Sequence, residues 1–379
     1  MSETPVASIE EHFGDLEDER KAKGKRHELL DIIVIAVCAV ICGAESWTDI
    51  ELFGKAKQGW LKRYLALPHG IPSHDTFGRV FARLDPEQFE ARFLSWVQAV
   101  FETTEGEVVA IDGKTVRRSH DRGNGKSAIH LVSAWATANH LVLGQVKVND
   151  KSNEITAIPQ LLRVLALKGC IVTIDALGCQ TEIAEQILEA DADYVLTVKD
   201  NQANLLEDIS FFFELAQQNE FENVNYDYAK TVNGGHGRIE TRECWTIAGE
   251  ESLDFLRGYG NWQGLQTMVK VKRRRQKEDE VTTETHYYIS SLANDAESLL
   301  QAIRSHWGIE NSLHWVLDVA MGEDDSRVRK DHAPQNLGLL RRLALTLLKQ
   351  ETTAKVGVQA KRRKAGWDQD YLLKVLAVT

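Results

Sequence analysis

Three acidic residues stand at positions where an unpaired charge is expensive. Asp112 follows the apolar run "VVAI" and Asp175 follows "IVTI", and each run is typical of a strand that is buried on both faces. Glu310 falls in the middle of a stripe of apolar residues at helical spacing, so we expect its side chain to point into the core. An unpaired buried carboxylate costs several kcal/mol. One account covers all three residues: they converge on divalent metal, because hard oxygen ligands suit Mg²⁺ or Mn²⁺.

A separate explanation stays open for each acid. Asp112 could cap a turn with Gly113, and Asp175 could cap a helix that starts near Thr181. Glu310 could form an ion pair with a basic neighbour. The candidates for that pair are Arg304, His306 and His314. For any one residue such an explanation is as good as metal binding, but the three acids together favour the metal.

Two other kinds of chemistry are excluded by the residues present. The "DGKT" that starts at Asp112 lacks the glycine spacing of a phosphate-binding loop. A phosphatase of the haloacid dehalogenase type needs a second aspartate two residues after the first, where this chain has Lys114. Asp318 leaves the helical stripe, so it competes poorly with Glu310. The next acids follow Gly322, where we expect a supporting or solvated role; they are Glu323, Asp324 and Asp325.

The elements around Asp112 and Asp175 predict a mixed sheet. Three strand-like runs, "EVVAID", "AIHLVSAWATA" and "LVLGQVKV", are followed by a helix, a strand, a helix and a strand. The second and third runs are split by a turn at "NH" and predict a hairpin. Thr156 is expected to cap the first helix, with Pro159 in its first turn. This order is that of a ribonuclease-H-like α/β sheet, although it fits other α/β layouts too.

Residues 1–103 predict a helical domain that could bind DNA. The run "LLDIIVIAVCAVICGA" is shorter than a membrane span and contains Asp31, so it is typical of a buried helix. Ser46 is expected to cap the next helix, and Ser73 a short helix that carries Arg79 and Arg83. A helix, a turn and a capped short helix make a possible DNA-reading unit. The alternative is a pair of helices that only pack against each other.

The rest of the chain, residues 104–379, predicts one catalytic domain. Within it, residues 200–293 alternate as strands after one helical stretch and predict a β-rich insertion. Helices return from Asp295, and residues 321–379 predict a basic helical region.

Charge and composition limit the function classes. The net charge of −11 argues against a protein that coats nucleic acid, but residues 327–364 hold eleven Lys or Arg and only two acids. That segment predicts a surface for an anionic partner, or else a solvated helix face. Five cysteines within apolar segments make a disulfide framework or a zinc site improbable. With no signal-peptide pattern at the start, we expect a cytoplasmic protein.

Several longer motifs then point to a known family. The chain resembles the insertion-sequence transposases with a ribonuclease-H-like DDE core, most closely the H-repeat-associated proteins. The similarity covers nearly the whole chain. The motifs are "ICGAESWTDIELFG", "GIPSHDT", "AIDGKTVRRS", "KSNEITAIPQLL", "TIDALGCQ", "HWGIENSLHWVLDV" and "EDDSRVRK".

The resemblance implies that Asp112, Asp175 and Glu310 are the catalytic acids and hold two Mg²⁺ ions, with Mn²⁺ as a substitute. Asp112 would bridge both ions, and the other two acids would each complete the shell of one. In such enzymes a pair of cations about 3.5 to 4 Å apart supports in-line phosphodiester displacement. Water would free a 3′-hydroxyl at the transposon end, and that hydroxyl would then attack target DNA.

The chain departs from the family signature Y-x-x-R-x-x-x-E-x-x-x-x-x-x-K around the glutamate. Ile303, His306 and Leu317 stand where Tyr, Arg and Lys are expected. The phosphate-holding roles of that signature must therefore fall to other basic residues, or be absent. The set predicted to bind DNA is Lys114, Arg117, Arg118, Lys199, Lys272, Arg273, Arg274, His306, His314, Arg327 and Arg329. The alternative for the clusters at 114–118 and 270–275 is a solvated strand end.

The expected partners are double-stranded DNA, as terminal inverted repeats and as target, and a second copy of the chain on DNA. No membrane is expected, and the place of action would be the bacterial nucleoid. Two alternatives stay open: a ribonuclease-H-like nuclease that cuts without joining, and an immobile relic that binds DNA without chemistry.

Overall fold

A computed structural model describes residues 7–20, 25–100, 106–120, 127–148, 153–235, 237–277 and 280–377. The predicted domain boundary at 103/104 lies outside the described residues. Among the described residues, none of the helices combines the length and the apolar character needed to cross a membrane.

The first part of the chain is helical, as predicted. Ser46 caps the third helix through a reciprocal capping box with Asp49, and Ser73 caps the fifth by accepting a hydrogen bond from the Thr76 amide. The second helix is buried over almost its whole length, which confirms the interpretation of its apolar run. The helices described in this part are α1 (Ala7–Phe13), α2 (Leu29–Ile41), α3 (Trp47–Ala56), α4 (Gln58–Leu61), α5 (His74–Arg83) and α6 (Pro86–Val100).

A nine-stranded mixed sheet forms the centre of the molecule, in the order β3-β2-β1-β4-β5-β9-β8-β7-β6. Strands β1 and β2 and strands β2 and β3 pair antiparallel, whereas β1 pairs parallel with β4 and β4 with β5. The strands are β1 (Val108–Thr115), β2 (His130–Ala136), β3 (Leu141–Lys147), β4 (Ile171–Ile174), β5 (Asp193–Val198), β6 (Asn225–Gly235), β7 (Arg238–Ala248), β8 (Thr267–Lys277) and β9 (Glu280–Ser290).

The first five strands have the ribonuclease-H-like arrangement that the sequence predicts, including the β2–β3 hairpin. The connecting helices are α7 (Glu154–Leu162) and α8 (Thr181–Glu189). The predicted start of α7 is wrong. Asn153 is its N-cap residue, Thr156 lies within the helix and donates its hydroxyl to the Asn153 carbonyl, and Pro159 lies in the helix interior.

The predicted β-rich insertion continues the same sheet. Strand β9 pairs antiparallel with β5, and β8, β7 and β6 follow it outward. The helix α9 (Ala203–Gln218) packs on one face of this extension through Phe213 against Tyr287. A short helix, α10 (Glu250–Leu253), lies between β7 and β8. The insertion therefore widens the catalytic sheet.

The opposite face of the extension carries α11 (Ala296–Ile309), whose apolar side packs on Val269, Val271 and Tyr288. A π-helix (Glu310–His314) and α12 (Trp315–Val319) continue the same segment. The final helices are α13 (Ala333–Gln350), α14 (Val358–Trp367) and α15 (Gln369–Leu376).

Helix α13 is buried on nearly every side, against α2, α5, α6 and β3. The prediction that residues 327–364 present their basic side chains to an anionic partner is therefore wrong for four of them. These side chains bind carbonyl oxygens or a buried glutamate, or lie in the core, because their helices fill the space between the N-terminal helices and the sheet. The four are Arg341, Arg342, Lys361 and Arg362.

Candidate active site

Asp112 and Asp175 meet because their strands are parallel neighbours. Ile111 on β1 pairs with Ile174 on β4, so the residue after each lies at the same level of the sheet. Asp112 accepts a hydrogen bond from the Gly113 amide at 2.9 Å. Asp175 accepts one from the Leu177 amide at 3.1 Å and so caps a 3₁₀ turn, not the helix α8 that was the open alternative.

Glu310 comes to the same place from α11, but its side chain does not point into the core. The prediction of burial is wrong, since the side chain is 52% exposed. Helix α11 ends at Ile309, and the π-helix that follows has a wider turn than an α-helix. The regular apolar stripe is broken there: Trp307 is exposed, and His314 is buried.

Three side chains of types that bind metals lie close enough together to share one ion. Oxygen atoms of Asp112 and Glu310 and a nitrogen of His314 are all within 4.8 Å of one another. His314 Nδ1 is 3.5 Å from Asp112 Oδ2 and 3.7 Å from Glu310 Oε1. Its Nε2 atom is buried with no hydrogen-bond partner among the described residues. Asp175 lines a cavity of about 220 Å³ together with both of these acids.

The carboxylates of this cavity carry like charges and repel one another. Burial, reinforced by the neighbouring Glu310, raises the pKa of Asp112 to about 8. Burial also raises the pKa of Asp175. A hydrogen bond from His314 is the main cause that lowers the pKa of Glu310 to about 2. The site therefore gathers carboxylates without enough positive charge to balance them, which is the condition that a bound cation relieves.

Two predicted DNA-binding residues also line the cavity. His306 Nδ1 forms a 2.9 Å hydrogen bond with the hydroxyl of Thr173, and burial lowers the pKa of His306 to about 4. The imidazole is therefore neutral near pH 7. Lys199 is exposed at the cavity wall, and its charge acts on Asp175 to lower the pKa that burial raises.

Sequence reasoning missed Glu154 and His130, which lie against β1 beside the acids. His130 is hydrogen-bonded to Glu154 Oε1 at 2.5 Å and to the Thr115 hydroxyl at 2.8 Å. After burial, the charge of Glu154 is the next cause of the raised pKa of Asp175. A Cβ on Gly113 would lie 2.1 Å from Glu154 Oε1, so glycine leaves the room that this pair occupies. The polar residues at the true start of α7 are the sequence signal that could have revealed this pair.

A second group of acids, Asp318, Glu323 and Asp324, lies close by, and we call it the buried acid cluster after its central member Glu323, since Asp318 and Asp324 are partly exposed. Lys114 was predicted to reach phosphates, but its side chain is 8% exposed and its ammonium group contacts all three carboxylates, at 2.6, 3.6 and 3.0 Å. Glu323 is fully buried and accepts a 2.9 Å hydrogen bond from the equally buried Arg342.

Four other predicted DNA-binding residues lie around the end of β1. Arg117 contacts Asp324 at 3.3 Å, and Arg118 contacts Asp325 at 3.2 Å. Arg329 donates a hydrogen bond to the Arg118 carbonyl. Arg327, in the same segment, is exposed. These residues form a basic edge next to the buried acid cluster.

The basic residues of β8 divide between the two faces of the sheet. Val271 packs against α11, so Arg273 and Arg275 share its face, and the paired β9 residue His286 lines the acidic cavity. Lys270 contacts Gln217 on α9, so Lys272 and Arg274 follow it on the opposite face. The predicted set thus contains residues from both faces.

A ribonuclease-H-like sheet with acids at two adjacent parallel strands and a third on a following helix defines the class of ribonuclease-H-like enzymes that act on nucleic acids. Comparison with known proteins narrows the class. The family model described as "Transposase DDE domain" matches residues 103–347, and a model of the domain associated with it matches residues 10–97.

Curated relatives extend over nearly the whole chain. "Putative transposase YncI" of Escherichia coli O157:H7 is 43% identical and covers 98% of this chain and 95% of that protein. "H repeat-associated putative transposase YhhI" of Escherichia coli K12 is 41% identical over 98% of each. A cryo-EM structure of the piggyBac transposase synaptic complex with hairpin DNA covers 96% of this chain and 76% of that one, at 12% identity and a TM-score of 0.41. The chain belongs to the DDE transposase family and is a DNA transposase, and the resemblance to the H-repeat-associated proteins is confirmed.

Proposed function

We propose that this transposase cleaves DNA at the ends of its element and joins them to target DNA, with Asp112, Asp175 and Glu310 holding two divalent cations. The observation that carries the proposal is that these acids share one cavity while no lysine or arginine among the described residues forms an ion pair with any of them. The nuclease and the immobile relic are not favoured, since all three acids are present in a transposase domain.

The donor set fits Mg²⁺, with Mn²⁺ as a substitute. The three acids offer hard carboxylate oxygens, and the raised pKa of Asp112 marks a site that gains from added positive charge. His314 adds a nitrogen within reach of two of the acids. Divalent ions bound there would supply Lewis-acid stabilisation of the attacking and leaving oxygens.

The side chains of the site have separate tasks in this scheme. Asp112 interacts with both of the other acids, by a hydrogen bond with Glu310 and through the charge of Asp175, so it would be the residue that contributes to holding both cations. His314 orients Asp112 and Glu310, because its ring nitrogen lies within 4 Å of a carboxylate oxygen of each. Lys199 has the charge and exposure to hold a DNA phosphate at the cavity. His306 is neutral near pH 7 and can offer a phosphate only a hydrogen bond.

Two phosphodiester steps follow in this scheme. In the first, water attacks the phosphorus at the transposon end, and the bond to the 3′-oxygen breaks to release a 3′-hydroxyl. In the second, that hydroxyl attacks a phosphodiester of target DNA, and the displaced strand leaves with its own 3′-hydroxyl. Neither step needs a covalent bond between protein and DNA.

Bound DNA would follow the face of the sheet at β8 that α11 also packs on, next to the cavity. Arg275 is 40% exposed on this face, whereas Arg274 lies on the other. Arg275→Ala is expected to weaken binding of a terminal-repeat duplex about tenfold. It should also reduce the slope of the log binding constant against log salt by about one, which corresponds to the loss of one phosphate contact. Arg274→Ala is the matched control. If the control weakens binding as much as Arg275→Ala, DNA does not follow this face.

The proposed partners are DNA and a second copy of the chain. The DNA would be the terminal inverted repeats that bracket the gene, together with a target duplex. Two copies of the chain would hold two ends in one complex on the bacterial nucleoid. Inverted repeats in the DNA that flanks the reading frame would identify the substrate for the assays.

Three single substitutions test the site. Asp112→Ala, Asp175→Ala and Glu310→Ala should each lower cleavage of a terminal-repeat duplex by more than about a hundredfold while leaving its binding nearly unchanged. Mn²⁺ binding, followed by electron paramagnetic resonance, should weaken in each. Asp325→Ala, which removes an exposed acid outside the cavity, should keep full cleavage and full Mn²⁺ binding. Full cleavage by any of the three variants would refute the assignment.

Joining is tested apart from cutting. Precut ends with a free 3′-hydroxyl are offered together with a target plasmid, and joined product is measured. The transposase proposal requires joined DNA that depends on the same three acids. Cleavage of uncut ends without joining of precut ones would favour the nuclease.

A further inference from the structure

Lys114 lies on the same strand as the first cavity acid, but it serves a different group of charges. Asp112 and Lys114 both belong to β1 and are two residues apart, so their side chains leave the strand on the same side. The ammonium group of Lys114 is buried, 2.6 Å from a carboxylate oxygen of Asp318. A cation enclosed in this way does not reach a DNA phosphate. Its role must lie in what it joins inside the molecule.

Asp318 belongs to the segment that carries the third acid of the cavity. The π-helix that begins at Glu310 runs directly into α12, and Asp318 lies on α12. Polar contacts join this segment to β1 at two levels. His314 contacts Asp112 at 3.5 Å at one level, and Asp318 contacts Lys114 at the other.

The two levels differ in the charges that they bring together. At the first, the carboxylates of Asp112 and Glu310 meet, and like charges push the segment and the strand apart. At the second, Lys114 and Asp318 carry opposite charges, and neither residue lines the cavity. The second contact can therefore hold the segment against β1 before any cation is bound.

Lys114 is also tied to the core. The chain turns at Gly322, where φ is +59°, and the amide of Glu323 donates a 3.0 Å hydrogen bond to the Leu317 carbonyl. This turn brings one carboxylate oxygen of Glu323 to 3.6 Å from the ammonium group, while Arg342 on α13 binds the other oxygen. The lysine is thus held between α12 and, through Glu323, the core helix α13.

We propose that Lys114 is a positioning residue for the cation site: its contact with Asp318 fixes how far the Glu310 carboxylate lies from Asp112. This role rests on the proposed metal chemistry of the cavity. Mg²⁺ demands near-ideal octahedral geometry, with ligands at about 2.0–2.1 Å. Acids on two separate elements meet that demand only when the elements are fixed relative to each other. A small shift of the Glu310 segment would therefore lower cation affinity and cleavage.

A purely structural role for Lys114 has a different consequence. Loss of the lysine would then lower stability, because the buried Glu323 and its neighbour Asp318 would lose their cation. Those molecules that still fold would bind cations and cut DNA normally. The two roles therefore separate when each property is expressed per folded molecule.

The experiment compares three variants of the full chain. Lys114→Met keeps the apolar stem and removes the charge, and Asp318→Asn removes the charge of the partner on α12 while keeping its size. Asp324→Asn is the matched control, because it removes another carboxylate 3.0 Å from the same ammonium group, but from the turn after α12. Circular dichroism and urea unfolding give the folded fraction of each variant.

Mn²⁺ binding, followed by electron paramagnetic resonance, is the main measurement. By charge alone the first two variants should act in opposite directions, since loss of Lys114 would attract cations and loss of Asp318 would repel them. Positioning predicts that both weaken Mn²⁺ binding, by about 10- to 100-fold, the range usual for groups that orient metal ligands. The spectrum of the bound ion should change in both, and the control should keep affinity and spectrum.

Cleavage of a terminal-repeat duplex gives a second readout. Lys114→Met and Asp318→Asn should each cut about a hundredfold more slowly in Mg²⁺, the size of effect expected from a shift of about 1 Å. The loss should be smaller in Mn²⁺, a larger ion that tolerates a distorted shell. The double variant should be no slower than the slower single one, because the same contact is lost in all three.

Several results would overturn the positioning role. Tighter Mn²⁺ binding by Lys114→Met would show that the lysine acts through its charge alone, and unchanged binding in both variants would show that it is only structural. Weaker binding of the duplex in EDTA by Lys114→Met would show that the lysine contacts DNA. If Lys114→Met does not fold, Asp318→Asn is compared with Asp324→Asn, and equal Mn²⁺ affinities of these two would contradict the role.

Asp112→Ala separates this role from the cation site itself. If Asp112→Ala binds Mn²⁺ and cuts DNA like the unmodified protein, the proposed site is wrong and the positioning role falls with it. If Asp112→Ala loses both properties while Lys114→Met and Asp318→Asn keep them, only the positioning role is wrong.

Discussion

The molecule holds two neighbouring groups of three acids, which differ in what neutralises them. The buried acid cluster has its own cations: Lys114 contacts all three of its carboxylates, and Arg342 binds Glu323 from the other side. Among the residues that the structure describes, the cavity acids form ion pairs with no lysine or arginine, and the imidazole of His314 contacts Asp112 and Glu310. The first group is complete, because the chain itself supplies the positive charges that balance its carboxylates. The second group is incomplete and needs positive charge from outside the chain.

Strand β1 contributes to both groups. Asp112 and Lys114 are two residues apart and so project from the same face of the strand. One meets the cavity and the other meets the buried acid cluster. The comparison shows that a count of acids does not mark a metal site; the marker is a carboxylate whose neighbours leave it unbalanced.

The largest effect is expected from breaking the complete group. Arg342→Ala leaves Glu323 fully buried without its main partner, and we expect a loss of about 3 to 5 kcal/mol in the free energy of unfolding. Urea unfolding measures it. The double variant Glu323→Leu/Arg342→Met should recover most of the loss, because it removes both charges. Arg363→Ala, on the exposed side of α14, is the control and should change little. A single variant as stable as the unmodified protein would show that the pair is not needed.

A smaller effect, of opposite sign, is expected at the incomplete group. Below about pH 3, Asp112 is protonated in both the folded and the unfolded chain. As the pH rises towards 8, the unfolded chain releases this proton while the folded chain keeps it, because burial raises the folded pKa to about 8. Metal-free protein should therefore lose stability over this range, and Asp112→Asn should escape the loss.

The measurement is thermal unfolding in EDTA at pH 5 and at pH 8. We expect the asparagine variant to gain about 2 kcal/mol relative to the unmodified protein at pH 8, less than the full pKa shift implies, because Glu310 shares the charge. The gain should shrink at pH 5. Mn²⁺ should also reduce it, since a cation stabilises the ionised form. A constant difference across pH would contradict the unbalanced charge.

The smallest effect is expected beside the cavity. Gly113→Ala places a methyl group where Glu154 and His130 now lie, and the ends of these two side chains must move. Because both are flexible, we expect a loss of only about 1 kcal/mol in stability. The hydrogen bond from His130 to Glu154 should be weakened, which the imidazole signals in nuclear magnetic resonance report. Gly234→Ala, where the space is open, is the control.

Much of the fold was predictable because its signals are local. The apolar runs before Asp112 and Asp175, the turn between β2 and β3, and the caps at Ser46 and Ser73 depend on neighbours a few residues away. Those features predicted the five-strand core and the two helical ends. The start of α7 was missed because Thr156 is a residue type that often caps helices, whereas the N-cap position is Asn153, three residues earlier, and its side chain forms no capping hydrogen bond.

The exposure of Glu310 was not predictable from its spacing. A stripe at 3.6 residues per turn assumes a regular helix, whereas α11 ends at Ile309 and Glu310 itself begins the π-helix. The fate of the basic C-terminal segment was hidden for a related reason. Arg341 and Arg342 lie in a helix that would be amphipathic beside a single neighbour, but α13 is surrounded by α2, α5, α6 and β3.

The sequence by itself determined where the two strand acids fall, since each directly follows a buried apolar run. Only the tertiary structure decided which charges are balanced. Lys114 meets Asp324 across 210 residues of chain, and Arg342 on α13 meets Glu323, which lies in the turn after α12. Such pairs depend on how elements pack, because a side chain's electrostatic neighbours are those nearest in space, and spacing along the chain does not record them.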